Sequence, residues 1–201
     1  MGVVAEPGCR LRGHLMSWLI IVTGRPAAGK STLAKWLGQS LDIPVLSKDG
    51  IKEILFEELG WRDREWSKRL GRASVEVMYA CAQSLLEASQ SVILDNAFHP
   101  ELASATLRTL QERYGCKTLQ VICTARSDVL FERFKQRAES GLRHAGHVDA
   151  QCLDEFRASL AQDRALRLDL DGDWLELDTT DFSAVHYEAI LGQIESILVH
   201  T

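Results

Sequence analysis

No apolar run in the sequence approaches the roughly 20 residues needed to cross a membrane as a helix. Net positive charge is also missing. The chain carries 23 Lys and Arg against 28 Asp and Glu, a formal charge of −5. That balance excludes a global attraction to nucleic acid or to anionic lipid, so any such contact needs a local basic patch. No CxxC pair occurs, and the five cysteines (Cys9, Cys81, Cys116, Cys123, Cys152) are odd in number. They read as reduced, partly buried thiols, and with them the chain as cytoplasmic. There is no internal repeat and no low-complexity tract. The opening stretch "MGVVAEPGCRLRGHLM" lacks the continuous apolar segment of a signal peptide. Gly2 invites myristoylation, but Glu6 stands where that signal needs Ser or Thr. Residues 1–15 therefore read as a flexible tail, with Met16 as a second candidate start.

What is present is a chain of ordinary globular composition, 46% apolar and 25% charged over 201 residues. That length fits one domain with a full core, taken here as 16–201. Short apolar runs at 18–23, 43–47, 91–95, 118–124 and 174–179 read as strands. Helical spacing fills 30–41, 49–58, 66–89, 100–114, 127–140, 150–166 and 182–199. Strands without polar alternation are expected when helices cover both faces, and strand–helix alternation implies parallel pairing. The expected fold is α/β: a three-layer α/β/α sandwich on a five-stranded parallel sheet of the P-loop type, with a helical lid at about 127–150. The mixed-sign stretch "WRDREWSKRLGR" (61–72) reads as a solvated helix start.

The stretch "GRPAAGKS" (24–31) follows the first strand and opens the first helix. It matches G-x-x-x-x-G-K-[ST], the loop that cradles phosphates. Glycine lets the backbone curl until several N–H groups face inward, and the helix N-terminus adds partial positive charge. Gly24, Arg25, Pro26, Ala27, Ala28, Gly29, Lys30, Ser31 and Thr32 are thus candidate nucleotide contacts, with ATP and Mg²⁺ as the expected ligands. Lys30 reaches the β- and γ-phosphates, and Ser31 serves the metal.

Three further stretches fall at strand ends, the ligand edge of a parallel sheet. In "LSKDGIK" (46–52), Asp49 can serve as a general base for an attacking hydroxyl, as a helix N-cap, or as both. Lys52 lies one turn later and touches substrate or phosphate, or else lies on the surface. In "VILDNAFHP" (92–100), Asp95 ends a strand, where it can hold a metal-bound water or orient the acceptor, and Asn96 extends the same loop. His99 reads as an ordinary loop histidine. In "ARSDVLFERFKQRAESGLRHAGH" (125–147), Arg133 and Arg137 share a helix face four residues apart. They either press on phosphates from a lid or point to solvent. Arg143 follows in a glycine-containing loop. His144 and His147 have a metal-compatible spacing but no cysteine partners, so a zinc site is not expected. "LDLDGDW" (168–174) lacks the spacing of a calcium loop and reads as a turn. "DTTD" (178–181), with Thr180, occupies the position where P-loop kinases commonly receive the base.

Taken together, "GRPAAGKST", "LSKDGIK", "VILDNAF", "RFKQR" and "RHAGH" resemble the small P-loop kinases grouped with bacteriophage polynucleotide kinase and chloramphenicol phosphotransferase. The likeness runs over nearly the whole chain from residue 17. It implies that Asp49 is the general base, that Lys52 stands where the polynucleotide kinase has arginine, that Asp95 ends the third strand in its usual role, and that Arg133 and Arg137 are lid arginines. The family's acceptors range from nucleic-acid ends to antibiotics and sugars, so the acceptor does not carry over.

Three readings follow. The first is a kinase moving the γ-phosphoryl of Mg·ATP to a hydroxyl, with a small molecule favoured over a polynucleotide 5′ end because the chain is acidic and lacks a basic, aromatic groove. The second is a nucleotide-dependent switch or ATPase without a phosphorylated acceptor. The third is a nucleoside or nucleoside-monophosphate kinase, which would call for more arginines near the second strand than Lys48 and Lys52 supply. No membrane partner is expected, and the oligomeric state is open.

Overall fold

A computed structural model describes residues 16–162 and 164–200, so the expected tail and its Gly2, Glu6 and Cys9 lie outside the described residues. Five strands, β1 (Trp18–Gly24), β2 (Val45–Ser47), β3 (Val92–Asp95), β4 (Lys117–Thr124) and β5 (Asp173–Asp178), pair in the order β2-β3-β1-β4-β5. Every pairing is parallel. The helices are α1 (Lys30–Leu41), α2 (Lys48–Leu59), α3 (Arg64–Glu87), α4 (Pro100–Tyr114), α5 (Ser127–Ser140), α6 (Leu153–Leu160) and α7 (Tyr187–His200).

β1 shows why the sheet is central. All seven of its residues are buried. Side chains alternate across a strand, so Trp18, Ile20 and Val22 join the core under α1, α5, α6 and α7, while Leu19 and Ile21 join the core under α3 and α4. With both faces covered, neither set can be polar. β1 lies between β3 and β4, so the chain reverses its direction of travel across the sheet there, and the loops after the strands converge beside it.

Several expected boundaries move by a residue or two, and three of the differences have a local reason. β2 starts at Val45 rather than Ile43, because Pro44 has no N–H to donate; its carbonyl still accepts from Ile93 N at 2.9 Å. The helix expected over 150–166 is broken. Asp149–Cys152 wind as a tight 3-10 turn after Val148, which is left-handed (φ 51°), and α6 ends at Leu160. The chain then turns inward because Gln120 of β4, itself fully buried, accepts from Leu168 N at 2.8 Å and donates to Leu168 O at 3.1 Å. Leu168 and Leu170 enter the core, and Asp169 turns outward to Arg108. The helix expected over 182–199 also divides, into a 3-10 turn at Phe182–Ala184 capped by Asp181 and α7.

The cysteines Cys81, Cys116, Cys123 and Cys152 are free thiols. Among the described residues no helix is long and apolar enough to cross a membrane.

Candidate functional site

The loop between β1 and α1 carries three left-handed residues, Gly24 (φ 141°), Ala27 (φ 66°) and Gly29 (φ 78°). They curl the backbone into a concave turn at the N-terminus of α1. A side chain at Gly24 would place its Cβ 2.1 Å from the carbonyl oxygen of Cys123 on the neighbouring strand. At Gly29 it would meet the Phe182 ring at 2.7 Å. Gly24→Ala combines the backbone clash with an unfavourable φ and should cost about 2–4 kcal/mol. A circular-dichroism melt would read this as a Tm lowered by roughly 5–15 °C. An unchanged melt would mean the loop does not hold this shape.

Lys30 sits at the floor of the resulting cleft and donates to the Arg25 carbonyl at 2.8 Å. Burial draws its ammonium below the ordinary lysine range, against the opposing pull of Asp95 and Asp49. Burial pushes the Cys123 thiol up to about 12, so it stays protonated at neutral pH. Ser31 and Thr32 are exposed in the first turn of α1.

Register brings the acidic groups to this floor. Val22, Asp95 and Ser47 lie side by side on β1, β3 and β2. Asp95 is 4% exposed and accepts from Ser47 Oγ at 3.0 Å. Asn96 continues the edge, its N–H donating to Val22 O at 3.3 Å. Asp49 is not the cap of α2. Ser47 holds that position, accepting from Gly50 N, which leaves the Asp49 carboxylate to Lys48 at 2.9 Å and to Arg143. Burial pushes the Asp49 carboxyl upward, but Arg143, Lys48 and His147 together hold it far below the usual carboxylate range. Of the two sequence options for Lys52, solvent is the one not found. Lys52 is 4% exposed, donates to Ser67 Oγ at 2.8 Å, and lies over the Phe56 ring.

Arg133 and Arg137 share α5 but diverge. Arg133 donates to the carbonyls of Thr179 (2.8 Å) and Thr180 (3.0 Å) and stacks 3.7 Å over Phe182. This is the side of the cleft where a base was expected, and Thr180 also accepts there from the Arg126 N–H. Arg137 turns to the other side and pairs with Asp149 at 3.2 Å. Arg143 bridges Asp149 (2.7 Å) and Asp49. The segment after α5 is held shut over α2: His144 meets Glu57 and His147 meets Glu53, both at 2.9 Å, and Gly146 packs flat on Phe56. Burial, aided by Arg143, lowers His147 to about 4, so at neutral pH it is a neutral donor to Glu53.

The cleft measures about 600 Å³ and is lined by every one of these catalytic candidates. Asp149, Arg64, Glu155 and Arg164 join it without having been singled out in the sequence. Two buried donors among its lining residues, Arg137 Nε and Arg164 Nε, have no hydrogen-bond partner. Buried donors are normally satisfied, so these two fit a ligand with acceptor oxygens such as a triphosphate.

Comparison with known proteins agrees with the fold. Residues 19–162 match a family described as AAA domain. A Chloroflexus aurantiacus protein provisionally named a kinase is 34% identical, with 92% of this chain and 99% of that one aligned at a TM-score of 0.81. A sugar kinase from Janibacter aligns at 13% identity over 91% of this chain and 94% of its own, with a TM-score of 0.54, a likeness of fold alone. Uncharacterized proteins of Mycobacterium tuberculosis and Mycobacterium bovis are 30% identical over 76% of this chain, which spans 30% of their length.

Proposed function

Because this chain belongs to the AAA-domain family of P-loop proteins, we propose that it is a phosphotransferase moving the γ-phosphoryl of Mg·ATP to a hydroxyl of a small molecule. The observation that carries the reading is the joining of Lys30, Asp49 and Asp95 in one cleft with a curled glycine loop above them. The kinase designation of the Chloroflexus relative supports it.

The residues divide by position. The loop 24–32 holds the phosphates, with Lys30 neutralising the β- and γ-oxygens. Ser31 and Asp95 would hold the metal, which would supply positive charge beside the phosphate oxygens. Arg133 and Thr180 border the base. Arg137 and Arg143 place guanidinium groups on charge that develops during transfer. The acceptor hydroxyl gives its proton to Asp49 as its oxygen bonds the γ-phosphorus, and the β–γ bridging oxygen departs with the electron pair on ADP. Asn96 and Lys52 contact the acceptor. In the closed form Asp49 is occupied by Arg143, so acceptance of a proton requires Arg143 to shift from carboxylate to phosphate. The cleft volume falls in the range of small-ligand pockets, which favours a small acceptor over a polynucleotide end.

The test is a panel of hydroxylated compounds (sugars, sugar phosphates, sugar acids, nucleosides, aminoglycosides, chloramphenicol-like alcohols, 5′-hydroxyl oligonucleotides) incubated with γ-labelled ATP and Mg²⁺. Labelled small-molecule product is expected. ATP hydrolysis with no labelled acceptor would favour a switch, and label on oligonucleotides alone would reverse the preference for a small acceptor.

A further inference from the structure

The cleft as a whole has more cationic charge than its carboxylates neutralise. Nine Lys and Arg side chains line the cleft against four carboxylates, although the chain as a whole is acidic. A nucleotide accounts for the cations around Lys30. It does not account for Lys52.

Lys48 and Lys52 lie one turn apart on α2 and approach the same point of α3. A Cβ at Gly71 would stand 3.7 Å from Lys52 Nζ and 3.8 Å from Lys48 Cε. Ser67, one turn before Gly71, supplies the hydroxyl that Lys52 meets. The small residues Ser67 and Gly71 thus leave a niche into which two like charges are packed. Arg64, on the first turn of α3, borders the same niche and pairs with Glu155 at 2.9 Å. Lys48 shares Asp49 with Arg143. Lys52 has a hydroxyl and an aromatic face, and no carboxylate among its ion pairs. His147 and Cys152, on the segment packed over α2, also lie within electrostatic reach of it. Besides burial, which acts most strongly, Lys48, Arg143 and Arg64 lower its ammonium and Asp49 raises it, leaving it at about 8. A buried cation surrounded mostly by cations is costly unless a ligand anion completes the arrangement.

We propose that the acceptor carries an anionic group, a phosphate or a carboxylate, beside the hydroxyl to be phosphorylated, and that Lys48, Lys52 and Arg64 bind it. The inference rests on the phosphotransferase reading above and narrows it: neutral sugars and nucleosides are poor acceptors, and their phosphorylated or acidic counterparts are good ones. The geometry orients the acceptor, since an anion anchored on Lys52 places the rest of the molecule toward Asp49, one turn back on α2.

Two measurements test it. In the first, the full chain is loaded with Mg²⁺ and a non-hydrolysable ATP analogue, so that the phosphate loop is filled, and is then titrated with inorganic phosphate by calorimetry at pH 7 and pH 8.5. Binding is expected at both, with proton uptake at pH 8.5 because the anion restores the Lys52 proton. Lys52→Met should bind phosphate at least about tenfold more weakly and without that uptake, the loss of one charge-assisted contact. Lys52→Arg should keep the binding and lose its pH dependence. In the second, γ-labelled ATP is offered with matched acceptors: a sugar, its phosphate and its sugar acid. An anionic member should exceed its neutral parent by about 10²-fold in kcat/KM, and Lys52→Met should raise its KM more than it lowers kcat. Which of the two anions wins identifies the group. Equal use of neutral and anionic members, or phosphate binding indifferent to Lys52→Met, overturns the proposal. A chain that takes up no analogue sinks the phosphotransferase reading instead, and the Lys52-dependent titration still decides the anion site.

Discussion

With Asp49 replaced by asparagine, phosphoryl transfer falls by about 10²–10⁴-fold while ATP affinity changes little. The substitution is suited to the question because the helix does not depend on it: Ser47, not Asp49, caps α2. Asparagine keeps the shape and one oxygen for Arg143, and loses the capacity to take the acceptor's proton. The charge it removes also matters, since Asp49 helps to keep Lys52 protonated. The experiment pairs a turnover assay on an acceptor that wild type phosphorylates with calorimetry of ATP. A variant that retains wild-type turnover would reduce Asp49 to a partner of Lys48 and Arg143.

Lys30→Ala has the second large effect, and it falls on affinity as well as on rate. The side chain is the ammonium at the cleft floor, held between the Arg25 carbonyl and the fields of Asp95 and Asp49. Phosphates bound without it lose a desolvated charge partner, a loss of about 2–4 kcal/mol, or roughly 30- to 700-fold in Kd for ATP. Transfer should disappear with it. The fold should survive, because burying that ammonium already disfavours its charged form and alanine removes the penalty. Calorimetry and a melt on the same sample separate the two effects. Unaltered ATP affinity in a folded variant would remove the phosphate loop from the account of function.

The parts of this molecule that could be read from the sequence are those governed by short-range rules. The strand–loop–helix at 18–41 was readable because a glycine pattern and an apolar run are contiguous. Helices 100–114 and 127–140 have the limits that periodicity assigns them. The break near residue 150 was not readable, because its causes are a left-handed Val148 and a hydrogen-bonding partner, Gln120, 48 residues before Leu168 in the chain. The site divides in the same way. Lys30, Asp95 and Asp49 follow from strand ends. The divergence of Arg133 from Arg137 does not follow from their shared helix face, since it depends on Phe182 and Asp149 arriving from distant segments. "WRDREWSKRLGR", read as a solvated helix start, does open α3, and Arg62, Asp63, Glu65, Lys68 and Arg69 are exposed. Arg64 within it turns into the cleft toward Glu155, 91 residues away, and mixed charge alone could not single it out.

Arg25 belongs to the phosphate loop, yet its guanidinium reaches away from the loop to the carbonyls of Ser159 and Gln162, each at 2.6 Å, at the end of α6. The segment that crosses the cleft after Gly141, where the backbone is left-handed (φ 65°), is therefore tethered at its far end to the loop beneath it. Mechanically it is a strap with a buckle, not a flap with a free edge. Unfastening it costs on the order of 1–3 kcal/mol once solvent competes for the partly exposed guanidinium. A molecule that displaced that strap would pull on the same stretch, 24–32, to which phosphate binding is assigned above.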